Sequence, residues 1–89
     1  MRSLRRTSQF KKDVKRALKR GLDIGLMESV IRQLFAGEKL QPRLRDHALG
    51  GEYRDCRDCH IEADWLLIYR LDPDELVLIR TGTHADLFE

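Results

Sequence analysis

The sequence predicts a small α+β domain: a short N-terminal strand, a two-helix hairpin, then three strands in succession. Three observations carry that prediction. Met27, Val30, Ile31, Leu34 and Phe35 recur at i, i+3, i+4, i+7 and i+8, the spacing of one helical face. Trp65-Leu66-Leu67-Ile68-Tyr69 is the most apolar run in the chain and reads as a central strand buried on both faces. Asp72-Pro73-Asp74 then supplies turn chemistry between that run and a second strand-like one.

In order, Arg2–Arg6 is short and suits an edge strand. Thr7 or Ser8 offers an N-cap, after which Phe10, Val14, Ala17 and Leu18 follow at helical spacing up to Gly21, a plausible stop. The rest of that helix is Lys and Arg, so one side packs and the other presents positive charge. Asp23 caps the second helix and Gly37 ends it. Glu38–Gly51, with Pro42, Gly50 and Gly51, reads as a loop. Strands are expected at Tyr53–Cys59, Asp64–Leu71 and Glu75–Thr81, with His60 to Asp64 as the first connection. In the last strand Val77 and Ile79 alternate with Leu76, Leu78 and Arg80. The tail from Gly82 brings a third histidine, His84, and Phe88.

The chain has 89 residues, enough for one domain with a modest core, and we take 1–89 as that single domain. Its composition is 42% hydrophobic and 36% charged, which suits a compact soluble domain. No apolar stretch approaches the ~20 residues that span a bilayer, and no apolar segment follows the basic N-terminus, so no membrane association and a cytoplasmic location are expected. The net charge of +2 conceals an asymmetry. Residues 1–20 carry nine Lys/Arg against one acid, whereas residues 21–89 carry eight against fourteen. A basic first third suits a phosphate backbone or an acidic protein partner, although a solvated helix face is the simpler account of any charge run.

Cys56-Arg57-Asp58-Cys59-His60 matches C-x-x-C-H, the haem-attachment pattern, but in a strand context with no export signal. A zinc site built on the two cysteines and a histidine lacks a second close ligand pair. A Cys56–Cys59 disulfide is disfavoured, because an odd separation along a strand puts the side chains on opposite faces, ~10 Å apart. Both thiols read best as small buried hydrophobes, and neither metal nor cofactor is expected.

The histidines point elsewhere. His47, His60 and His84 each adjoin loop signals, and two lie near acids. Imidazoles with an unperturbed pKa near 6.5 serve as base or acid near neutrality. The chemistry that suits them is RNA cleavage: a base takes the 2′-OH proton, the 2′-oxygen attacks the adjacent phosphate, and an acid protonates the leaving 5′-oxygen. Because the nucleophile belongs to the substrate, the step needs no metal. Cationic groups would stabilise the added phosphate charge, the basic helix would hold the backbone and aromatics would stack on bases.

Gln9–Lys15 (QFKKDVK), Arg45–Leu49 (RDHAL), Tyr53-Arg54, Arg57-Asp58-Cys59-His60, Asp64–Tyr69 (DWLLIY) and Arg80–Phe88 (RTGTHADLF) occur in that order over nearly the whole length. In these blocks the chain resembles the YafQ-type endoribonuclease toxins of bacterial type II toxin–antitoxin systems, a branch of the RelE/ParE superfamily. The resemblance implies a RelE-like fold with a curved antiparallel sheet of about four strands (β-α-α-β-β-β). It implies cleavage of mRNA in the ribosomal A site to a 2′,3′-cyclic phosphate, and inhibition of translation. The active-site set it implies is His47, His60, Asp64 and His84, supported by Asp58, Arg80, Phe88 and Trp65. His84 and His47 form the proton-transfer pair, while Asp64 and His60 orient and stabilise charge. Phe88 stacks on a base or closes the core, and Trp65 is read as core. Lys11, Lys12, Lys15, Arg16, Lys19, Arg20, Arg43 and Arg45 are the candidate RNA and ribosome contacts. The implied partner is a DinJ-like antitoxin, with a free monomeric toxin and a heterotetramer once bound. Ala48 and Ala63 stand where such toxins often carry proline, which loosens the backbone beside His47 and Asp64.

Two other readings stand beside this one. ParE-like members share the fold but inhibit gyrase by binding, and the retained His/Asp set argues against that. A binding-only RNA or protein module on the same scaffold would leave the histidines structural.

Overall fold

The fold is a computed structural model, which describes residues 3–88. Strand β1 (Ser3–Arg6) runs parallel to β5 (Glu75–Gly82), with Ser3 opposite Glu75 and Arg6 opposite Leu78. Arg2, expected in the same strand, lies outside the described residues. Thr7 joins β1 to helix α1 (Ser8–Lys19): its hydroxyl accepts the Phe10 N–H at 3.0 Å and donates to the Ile79 carbonyl at 2.8 Å. That bond caps the helix and fastens its start to β5. Helix α2 (Ile24–Phe35) begins on Asp23, whose carboxylate accepts the Gly25 N–H at 2.9 Å. Gly21 (φ +78°) and Gly37 (φ +77°) end the two helices in the left-handed region, where a Cβ is strained.

Phe10, Ala17, Met27, Val30 and Leu34 bury the hairpin against Cys59, Trp65, Leu67, Tyr69, Leu76 and Leu78 of the sheet. Each of the larger apolar side chains contributes about 1.5–3 kcal/mol by leaving water. Leu18 was expected in this stripe but is 58% exposed. It lies roughly 80° round the helix from Phe10, and α1 is rolled the other way, turning Asp13 inward. Phe35, at the end of α2, is also exposed.

The sheet order is β1-β5-β4-β3-β2, with β3 Arg57–Glu62, β4 Trp65–Leu71 and a two-residue edge, β2 (His47–Ala48). Every pairing except β1–β5 is antiparallel. The expected helical hairpin on a sheet holds, and β2 adds a fifth, very short strand inside the stretch read as loop. That stretch also holds a 3-10 turn, Pro42–Leu44. The central place of Trp65–Tyr69 holds too, all five residues being buried.

The strand expected at Tyr53–Cys59 is displaced to Arg57–Glu62, so His60 lies within a strand and not in a connection. Gly50 and Gly51 (φ +60°) start a second 3-10 turn through Tyr53, and Asp55 at φ +71° interrupts the extended backbone. Pairing therefore begins only at Arg57. The β3–β4 turn is Ala63-Asp64, because Glu62 already pairs with Trp65. The tail forms a short helix, α3 (His84–Phe88), that the sequence reading did not anticipate.

The pleat sorts chemistry from core. Cys59, Leu67 and Tyr69 join the helix-side core, whereas Leu66 and Ile68 join a smaller cluster with Cys56 and Leu87. Asp58 pairs with Ile68, His60 with Leu66, and His47 with Asp58. These three side chains thus occupy the face that the long helices leave open. Both cysteines are free and buried, on opposite sides of the sheet, and burial pushes the Cys59 thiol up to about 12.

Candidate active site

Asp64 sits in the two-residue β3–β4 turn and faces the start of α3. One of its oxygens accepts the His84 backbone N–H at 3.0 Å and lies 2.7 Å from His84 Nδ1. These bonds from His84 hold the Asp64 carboxyl below the usual carboxylate range. A carboxylate only accepts, so Nδ1 carries the hydrogen and Nε2 is left to take or give a proton.

Helix α3 is fixed by a reciprocal cap. The Thr83 N–H donates to the Asp86 carboxylate at 2.9 Å, and the Asp86 N–H donates to the Thr83 hydroxyl at 3.1 Å. Asp86 also takes Arg20 Nη1 at 2.6 Å, and Arg16 stands 3.7 Å away. Gly82 permits this closure, since a Cβ there would lie 2.8 Å from the Asp86 carboxylate. The Thr83-x-x-Asp86 pattern is a capping signal in the sequence, and reading it would have predicted α3.

The cap aims three rings together. The His84 ring centroid lies 5.6 Å from that of His60 and 6.2 Å from that of Phe88. Phe88 meets Tyr53 edge to face at 5.7 Å, and the Tyr53 hydroxyl donates to the Leu87 carbonyl at 3.3 Å. Phe88 remains 45% exposed, open to a partner ring, so it does not close the core.

His47 approaches from the opposite edge. Its Nδ1 is 2.6 Å from the Arg45 carbonyl, which only accepts, so Nε2 again faces the site, 3.9 Å from Asp58 Oδ2. Asp58 is the buried centre of the group. It is 3% exposed, and its Oδ1 has no hydrogen-bond partner among the described residues. Burial raises its pKa, and the charges of His47, His60 and His84 oppose that rise. The expected quartet of His47, His60, Asp64 and His84 therefore meets on one face, with Asp58 beneath.

The supporting residues divide. Trp65 lies in the helix-side core and donates its ring N–H to Thr81 at 2.9 Å, so it does not reach the site. Arg80 is committed to Asp13, with Nε and Nη2 both at 3.0 Å. Among the cations, Arg16 and Arg20 pair with Asp13 and Asp86, whereas Lys11, Lys12, Lys15 and Lys19 are exposed and pair with no other described residue. Arg43 donates to Gln41, and Arg45 makes no ion pair among the described residues. Arg43, Arg45, His60 and Glu62 line an open groove of about 360 Å³. No group of three or more potential ligands is arranged to hold a metal among the described residues, and no described helix is long and apolar enough to cross a membrane.

Residues that sequence reasoning passed over do much of the holding. In the sequence Asp13 reads only as a lone acid in a basic segment and Tyr69 only as part of the buried strand, and nothing marks Asp46, or Asp86 beyond the capping pattern.

The comparisons with known proteins agree with this fold. The family described as the bacterial toxin of type II toxin–antitoxin systems, YafQ, matches residues 2–89. The mRNA interferase toxin YafQ of Escherichia coli K12 is 40% identical over 88 residues, covering 98% of this chain and 96% of that protein. The crystal structure of YafQ from E. coli BL21(DE3) superposes with a TM-score of 0.96 at 38% identity, covering both chains completely. The toxin in the E. coli DinJ–YafQ toxin–antitoxin complex gives 0.93 at 39% identity, over 99% of this chain and 98% of that one. A full-length family match, a shared fold and this sequence identity lead to one assignment: the chain belongs to the YafQ family of bacterial type II toxin–antitoxin toxins.

Proposed function

We propose that this chain is an endoribonuclease that cuts mRNA in the ribosomal A site and so stops translation. The observation that carries the reading is the meeting of His47, His60 and His84 around Asp58 on the open sheet face. In this mechanism one of the pair His84 and His47 removes the 2′-OH proton through Nε2. The 2′-oxygen forms its bond to phosphorus as the P–O5′ bond breaks, and the other histidine protonates the departing 5′-oxygen. The products are a 2′,3′-cyclic phosphate and a 5′-hydroxyl, with protons and electrons balanced and no metal drawn on. Asp64 orients His84 and stabilises its imidazolium, and His60 adds positive charge toward the phosphate. Phe88 offers a face for a base, and Arg43, Arg45 and the lysines of α1 hold RNA phosphates.

The relatives' names support the activity: the E. coli protein is an mRNA interferase, and its structure is known with DinJ. We infer a DinJ-like antitoxin as partner here, forming a heterotetramer with an otherwise monomeric toxin in the cytoplasm. The test is a translation reaction on a defined mRNA, with cuts mapped by primer extension with and without ribosomes. Cuts are expected only on ribosome-bound message. His84→Ala should lower the rate by about 10²–10⁴-fold. Folded protein that cuts under neither condition would overturn the reading.

A further inference from the structure

His47 stands on a two-residue edge strand, the least supported backbone in the sheet, yet its ring is held in one orientation. The device that holds it lies on the other side of the sheet. Asp46 immediately precedes this strand, and its carboxylate turns to the helix side, away from the face that His47 shares with Asp58. The Asp46 carboxylate accepts the Tyr69 hydroxyl at 2.5 Å and Arg57 Nε at 3.2 Å. Tyr69 is fully buried in the helix-side core, on the strand at the centre of the sheet, and it pairs in register with Arg57. Arg45, before Asp46, holds a left-handed conformation (φ 49°) as it closes the Pro42–Leu44 turn, unusual for a residue with a Cβ. That backbone bend directs the Arg45 carbonyl to His47 Nδ1 at 2.6 Å.

We propose that Asp46 is a positioning residue for His47, anchored from behind the sheet by Tyr69 and Arg57. The anchor fixes the peptide between Arg45 and Asp46. The fixed carbonyl holds the hydrogen of His47 on Nδ1, and Nε2 is presented to Asp58 and the site. Burial and the bond to Asp46 raise the Tyr69 pKa, so its hydroxyl stays a donor across the working range. The tautomer consequence stands on geometry alone, whereas the catalytic one rests on the ribonuclease reading above.

Two variants test this. Tyr69→Phe keeps the buried ring and removes the donor, and Asp46→Ala removes the acceptor for both partners. Histidine ring ¹⁵N spectra followed through a pH series report which nitrogen carries hydrogen. Cleavage of ribosome-bound mRNA under saturating and limiting conditions separates kcat from KM. In both variants His47 is expected to lose its Nδ1–H tautomer in favour of a mixture, while His84, set by Asp64, keeps its own. Turnover should fall about 10- to 100-fold, the scale of a misplaced catalytic group, with KM within about twofold. A folded variant that keeps the His47 tautomer overturns the proposal, whether or not turnover falls, because the lost contact would then be merely structural. If the parent protein cuts no RNA, the ribonuclease reading fails while the spectra still decide the positioning role.

Discussion

Asp13 and Asp58 are equally shielded from solvent, each 3% exposed, and the two sides of the sheet bring them to opposite states. Asp13, on the buried face of α1, is saturated with donors: Arg80 at 3.0 Å twice, Arg16 at 3.1 Å, Gln9 at 3.2 Å and the Thr81 N–H at 3.2 Å. Burial acts to raise its pKa, but these bonds prevail and hold the carboxyl below the ordinary range. Asp58, on the open side, is desolvated and poorly partnered. His47 Nε2 stands 3.9 Å from one of its oxygens, the other has no partner among the described residues, and burial raises its pKa. Burial alone therefore does not decide what an acid is for. A buried carboxylate with its lone pairs filled is part of the frame, whereas one that lacks donors beside three imidazoles carries an unfavourable charge, which the ribonuclease reading puts to use at the site.

The sharpest way to break this contrast is to neutralise each acid in turn. Asp13→Asn leaves the Arg80 guanidinium facing a neutral amide and should destabilise the fold by about 2–4 kcal/mol, measured by urea titration. Because the folded pKa is lowered, the stability from Asp13 is present above the unfolded value of about 3.9 and is lost as pH falls through the folded value. The deficit of the variant should therefore be constant at neutral pH and shrink only in acid. An Asp13→Asn protein as stable as its parent at pH 7 would show that the Arg80 pairing contributes nothing net.

Asp58→Asn should do the reverse, with a smaller effect. A folded pKa above the unfolded one means that Asp58 contributes stability below about pH 3.9 that is lost as pH rises through the folded value. At neutral pH the charged group is a cost, so removing the charge should raise the thermal midpoint by roughly 2–5 °C, fading in acid. On the ribonuclease reading the same change lowers cleavage, the trade expected where a site holds an unfavourable charge. A lower midpoint at pH 7 would mean that Asp58 is a structural acid like Asp13.

What could be read in the sequence follows the same division. Helix periodicity, the buried run Trp65–Tyr69 and the turn at Asp72-Pro73-Asp74 are local signals, and local signals placed the two helices and the last two strands. The three histidines stand out by residue type and neighbouring loop signals, and the family blocks add Asp64 and the division of roles; their meeting is not visible in spacing, because His47, His60 and His84 are distant in the chain and only the sheet register and the seat of α3 join them. The strand carrying His60 was misplaced by the left-handed residues at Gly51 and Asp55, which interrupt a run that looks extended in one dimension. The partners of Asp13 and Asp46 were illegible for a deeper reason. Arg80 and Tyr69 lie 67 and 23 residues away, and no local pattern reports that an acid on a basic helix will face inward.

The smallest effect belongs to the link between the two regions. Arg20 reaches from the end of α1 to Asp86 of α3, at 2.6 and 3.2 Å, and so ties the helical layer to the element that carries His84. Its guanidinium is exposed, and an exposed pair loses much of its Coulomb energy to water and its entropy to ordering. Asp86 is still held by the Thr83 cap when Arg20 is gone. Arg20→Gln should thus lower the thermal midpoint by less than Asp13→Asn does, and raising the salt to about 1 M, where the screening length is ~3 Å, should erase most of the difference. A deficit that persists in salt would locate the effect in the packed stem of the arginine and not in its charge. A deficit as large as that of Asp13→Asn would mean that α3 depends on α1 for its place, and the open face would then be no more independent of the helices than the core is.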